Sequence, residues 1–131
     1  MNMKRAILTF VMGLSFFTLF GQTNNFKSVG VDEFEKLISD SDVIVLDVRT
    51  EAEHAEGFIA GTHYNIDVLE DSFIDVATET LPKDKIIALY CRSGNRSKSA
   101  ARILTESDYQ VVELGTGFRG WQTAGKRVAK P

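Results

Sequence analysis

Two almost wholly apolar runs, Val43-Ile44-Val45-Leu46-Asp47-Val48 and Ile86-Ile87-Ala88-Leu89-Tyr90, constrain this chain more than any other feature. A strand with one wet face alternates polar and apolar residues, whereas a run this continuous is covered on both faces, as in a parallel sheet with helices above and below. The segments between the runs supply those helices. Asp32 is expected to cap a helix with Phe34, Leu37 and Ile38 on one face. Thr50 with Glu53 forms a capping-box pattern that opens a short helix through Ala55, stopped by Gly57. A short extended piece is expected at 62–66, and Asp71 or Ser72 opens a helix carrying Phe73, Ile74 and Val76. Leu81-Pro82-Lys83-Asp84 turns the chain into the second apolar run, and a helix over 97–107 follows. Strands at 26–29 and 109–114 and a last helix at 118–123, with Trp121 inward, complete the alternation of an α/β domain.

Chemistry is expected where the second run ends. Cys91-Arg92-Ser93-Gly94-Asn95-Arg96-Ser97 joins a buried strand to a helix, and successive backbone N–H groups at such a turn converge on a small anion while the helix presents its positive end. The same field, with Arg92 and Arg96 beside it, favours a thiolate on Cys91 and makes it a nucleophile near neutral pH. A buried structural thiol is the plainer alternative. Gly94 for turning, Ser93 and Asn95 as turn formers, and two arginines in one short loop favour the reactive reading. Ser97 is expected to cap the helix. Asp47 and Arg49, at the end of the other apolar strand, read as a supporting structural ion pair rather than as participants in the chemistry.

Composition limits the remaining functions. Lys4-Arg5 followed by 15 uncharged residues, Ala6 to Phe20, matches a secretory signal peptide over 1–21, with cleavage near Gly21 and a polar, disordered segment at 22–25. Export to the periplasm is the expectation, with an uncleaved membrane anchor as its alternative. Loss of Lys4 and Arg5 moves the formal net charge from −3 to −5. An acidic chain with positive charge concentrated at Arg92, Arg96, Lys98 and Arg102 suits a small anion and gives no reason to expect nucleic acid, or a membrane after cleavage. One domain over 26–128, a monomer, is expected, and a single cysteine allows no internal disulfide. His54 and His63 have no ligand-like spacing, so no metal is expected. Gly115-Thr116-Gly117 with Gly120 spells a dinucleotide fingerprint in the wrong context, and no cofactor is expected.

Asp47-Val48-Arg49, Gly57-Phe58-Ile59-Ala60-Gly61, the Cys91 to Ser97 loop and Gly117-Phe118-Arg119-Gly120-Trp121 together resemble, in order and spacing, the single-domain rhodaneses. The resemblance implies a three-layer domain with a central, mainly parallel five-stranded sheet flanked by helices. It further implies a sulfurtransferase in which Cys91 carries sulfane sulfur as a persulfide, with Arg92 to Ser97 as the loop around the outer sulfur. The partners so implied are a small sulfur-containing anion such as thiosulfate and an acceptor, either cyanide or a thiol. Arg92 and Arg96 are expected to hold the donor's sulfonate. Phe58 stands where these proteins usually carry His, Ala60 where Pro is frequent, and Thr116 interrupts a common Gly-Gly pair. Two other functions fit the same loop: a persulfide carrier serving one protein partner, and a cysteine phosphatase or arsenate reductase. Phosphatase-type loops generally place five residues between nucleophile and arginine. Here four separate Cys91 from Arg96, which suits one sulfur atom better than a tetrahedral oxyanion.

Overall fold

The computed structural model describes residues 26–131; the expected signal peptide and the segment at 22–25 lie outside them. Five parallel strands, β1 (Lys27–Val29), β2 (Val43–Asp47), β4 (Tyr64–Asn65), β5 (Ile86–Tyr90) and β6 (Val111–Leu114), form one sheet in the order β1-β6-β5-β2-β4. Five helices flank it: α1 (Val31–Ile38), α2 (Glu51–Glu56), α3 (Phe73–Thr80), α4 (Asn95–Glu106) and α5 (Gly117–Thr123). Two further strands, β3 (Phe58–Ile59) and β7 (Val128–Ala129), pair antiparallel beside the main sheet. Among the described residues no helix is long and apolar enough to cross a membrane.

The period of two along each central strand divides the core into two layers. Leu46 and Val48 of β2 and its extension, with Ile87, Leu89 and Cys91, pack against Phe73, Ala77, Ala100, Ala101 and Leu104 from α3 and α4. Val43, Val45, Ala88 and Tyr90 point the other way, onto Phe34 of α1 and Phe118 and Trp121 of α5. Both apolar runs are therefore covered on both faces, which is why neither alternates.

Register places the chemistry. β2 and β5 run side by side from Val43 opposite Ile86 to Asp47 opposite Tyr90, so Asp47, Arg49 and Cys91 emerge together at the carboxyl edge of the sheet. On the far side of β5, Leu89 lies opposite Glu113, and Glu113 lies opposite Ser28 of β1. Residues in register share a face, so Glu113 and Ser28 turn toward α4.

Local capping departs from expectation at two helices. α1 starts at Val31 after Gly30, and Asp32 sits inside its first turn, where its charge favours the helix dipole without making a cap bond. α3 starts after Ser72, as expected, and the Ser72 side chain makes no cap bond. α4 begins at Asn95, two residues earlier than expected, because Gly94 takes a left-handed conformation (φ 108°) that turns the strand into the helix early. Ser97 thus lies inside the first turn and does not cap. The Thr50/Glu53 capping box forms as expected.

Candidate active site

Cys91 leaves β5 directly beneath the turn that starts α4, and it is 1% exposed. Two long-range bonds shape that turn. The Phe118 amide donates to the Cys91 carbonyl at 2.8 Å, and the Arg119 amide donates to the Arg92 carbonyl at 3.0 Å. A trans peptide aims its N–H opposite its C=O, so tying these carbonyls to α5 turns the next amides toward the loop interior. The Gly94 amide donates to Cys91 Sγ at 3.1 Å. The close approach of loop to turn requires glycine. A Cβ on Gly94 would lie 2.3 Å from the Gly115 carbonyl oxygen, and one on Gly117 (φ 67°) would lie 2.4 Å from that of Arg92.

Burial pushes the Cys91 thiol up, but the Ser97 hydroxyl and the amides of Ser97, Gly94 and Ser93 oppose it and hold the group below the ordinary cysteine value. Hydrogen bonds to sulfur do this more than arginine charge. Arg96 is engaged elsewhere: its guanidinium forms a fork on Glu53, at 2.8 Å and 3.0 Å. That pair draws the Glu53 carboxyl down to about 2 and leaves Arg96 less available to a donor than expected. Arg92 is exposed and instead lines a cleft of about 240 Å³ with Arg49, Glu53, Gly57, Phe118 and Arg119. Arg119 brings a second exposed guanidinium to the cleft. Ser93 and Asn95 are exposed on the rim of the loop.

Asp47 and Arg49 form a buried ion pair, with Arg49 Nη2 2.8 Å from Asp47 Oδ2. Arg49 also donates to the Gly57 carbonyl at 2.7 Å and lies over the Phe118 ring, 4.3 Å from its centroid. His54 Nδ1 meets Asp47 Oδ2 at 2.9 Å, and its ring stacks on Phe58 at 4.2 Å. Phe58, unusual at its position, therefore orients the imidazole that steadies Asp47. His63 Nδ1 accepts from the Val45 amide at 2.9 Å, which makes it a sheet-edge partner.

Two acids of the site were not expected from the sequence. Glu53 was legible as a cap and not as the partner of Arg96, 43 residues away. Glu113 left less trace still, since one acid in the apolar strand Val111-Val112-Glu113-Leu114 looks like a solvent-facing position. It is fully buried below the loop. Oε2 accepts from the Ser97 hydroxyl at 2.5 Å, and Oε1 accepts from the Ser28 hydroxyl and lies 3.1 Å from Lys98 Nζ. A lone acid inside an otherwise apolar strand was the available signal.

Comparison with known proteins agrees with this geometry. Residues 30–124 match the Rhodanese-like domain family. A protein of Allochromatium vinosum named "Sulfurtransferase" is 33% identical over 98 residues, covering 74% of this chain and 88% of its own. The "Thiosulfate sulfurtransferase GlpE" of Coxiella burnetii is 28% identical over 99 residues, with coverage of 74% and 88%. Among solved structures, a rhodanese-related protein from Thermoplasma volcanium superposes with a TM-score of 0.71 at 28% identity, covering 81% of this chain and all of the other.

Proposed function

The chain belongs to the rhodanese-like domain family, and we propose on that premise that it is a sulfurtransferase that carries sulfane sulfur as a persulfide on Cys91. The observation that carries this reading is the cradle itself: a buried sulfur faced by loop amides, in a ring with four residues between Cys91 and Arg96. A ring of that size suits one added sulfur atom better than a phosphate.

With thiosulfate as donor, the Cys91 thiolate attacks the outer sulfur, the sulfur–sulfur bond of the donor breaks, and sulfite leaves with the bonding pair. Cyanide or a thiolate then attacks the outer sulfur of the persulfide, and Cys91 departs as a thiolate. That is a two-step, ping-pong cycle. Loop amides stabilise the anionic outer sulfur. Arg92 and Arg119 at the cleft are better placed for the donor's sulfonate than Arg96, whose charge Glu53 already meets. The N-terminal Lys4-Arg5 and the apolar run after it support export to the periplasm.

Intact mass after thiosulfate, and again after cyanide, tests the cycle. The expected result is a gain of one sulfur that cyanide removes as thiocyanate, and its absence in a folded Cys91→Ser variant. Sulfur transfer retained by Cys91→Ser, or no sulfur gained by the reduced wild-type protein, defeats the proposal.

A further inference from the structure

The Ser97 hydroxyl carries one proton and stands between two acceptors. One is the Glu113 carboxylate at 2.5 Å, and the other is the sulfur of Cys91. Ser97 and Glu113 are both fully buried, so no water substitutes for a withdrawn donor. The other donors to Glu113 come from two elements: Ser28 on β1, and Lys98 on α4. Lys98 also donates to the Gly94 carbonyl at 3.2 Å, which links the carboxylate to the turn whose amide faces the sulfur. Arg96 on α4 also faces Cys91 with its charge and is itself held by Glu53 of α2.

We propose that Glu113 and Cys91 compete for the single hydroxyl proton of Ser97, so that Glu113 is a positioning residue that sets how readily Cys91 becomes a thiolate. While the carboxylate holds that proton, Ser97 offers sulfur only a lone pair, which suits an S–H donor and opposes a thiolate. When the hydroxyl turns to sulfur, the thiolate gains a hydrogen bond, and Glu113 gives up the donor on Oε2 while Ser28 and Lys98 stay on Oε1. The two donors on Oε1 thus make the exchange possible without stranding a buried charge. The proposal takes Cys91 as the nucleophile of the proposed function, but its ionisation is measurable without any sulfur transfer.

Cys91 is the only cysteine, so the ultraviolet thiolate absorbance of the protein, less that of Cys91→Ser, reports its titration alone. In Glu113→Gln the amide can donate to Ser97 and release its proton to sulfur. The expected shift of the Cys91 midpoint is downward by about one pH unit, a tenfold change in the thiolate equilibrium. Loss of a nearby negative charge alone would also lower it, so Ser97→Ala is placed in both backgrounds. Competition predicts that Ser97→Ala raises the midpoint in the Glu113→Gln background and does so much less with Glu113 present. Equal effects in the two backgrounds, or a Glu113→Gln midpoint unmoved or raised, overturn the proposal. Lys98→Gln, at a half-exposed position, tests it from the opposite side should Glu113→Gln fail to fold. There the carboxylate leans harder on Ser97, so the midpoint should rise, and an unmoved midpoint counts against competition. Failure of the sulfur assay with a normal midpoint shift would remove the proposed function and leave this inference standing.

Discussion

Glu53 shows how one side chain can serve local and tertiary structure together. Its carboxylate accepts from the Thr50 amide and hydroxyl at 3.0 and 3.1 Å, closing the first turn of α2, and simultaneously takes both prongs of Arg96. The hydrogen bond from Arg96 is the main reason its carboxyl sits near 2, well below an unfolded glutamate at about 4.3. A folded value below the unfolded one means stability that is fully present above about pH 4.5 and is lost as pH falls toward 2. Glu53→Gln keeps the cap and loses the charge. It should cost about 1 to 2 kcal/mol at pH 7 and much less at pH 2.5. Urea unfolding at both values checks this, and an equal gap at the two would assign the loss to capping instead.

At the scale of elements, the loop after β5 owes its shape to the turn between β6 and α5. The Phe118 and Arg119 amides hold the Cys91 and Arg92 carbonyls, and glycine at 117 allows the contact. Gly117→Ala adds left-handed strain and drives a methyl into the Arg92 carbonyl, so it should cost about 2 to 4 kcal/mol and disturb the Cys91 cradle. Gly125 has a similar backbone angle (φ 74°) with nothing near its missing Cβ. Gly125→Ala should therefore cost only about 1 kcal/mol and spare the site. Thermal melts and sulfur loading of both variants make the comparison, and equal losses would mean that strain alone, not the contact with the loop, matters.

For the whole molecule, one sheet shared by two apolar layers predicts a single cooperative unfolding transition. Phe34 is fully buried and meets both Tyr90 and Trp121 edge-on, with ring centroids at 6.4 and 6.3 Å. Phe34→Ala should cost about 3 to 5 kcal/mol through the cavity it leaves beneath α1. Trp121 is the sole tryptophan, so its fluorescence follows the α1/α5 layer while circular dichroism follows both. The two signals should shift together in the variant. A fluorescence transition that precedes the dichroic one would mean that the layers unfold separately.

The features legible along the chain are local in origin. Apolar runs longer than a half-wet strand permits required a doubly covered sheet, and Thr50 with Glu53 specified the start of α2. The cysteine with its glycine and arginines, read as one short segment, located the loop at a strand-to-helix turn. Tertiary structure decided the partners. Whether Arg96 meets a donor or Glu53, and whether Ser97 caps a helix or faces Glu113, depends on which strands lie side by side at the carboxyl edge. Register between β1, β6 and β5 brings Ser28, Glu113 and Ser97 together from distant parts of the chain. Side-chain hydrogen bonds act over about 3 Å, and neighbours at that range are chosen by sheet order rather than by spacing along the sequence.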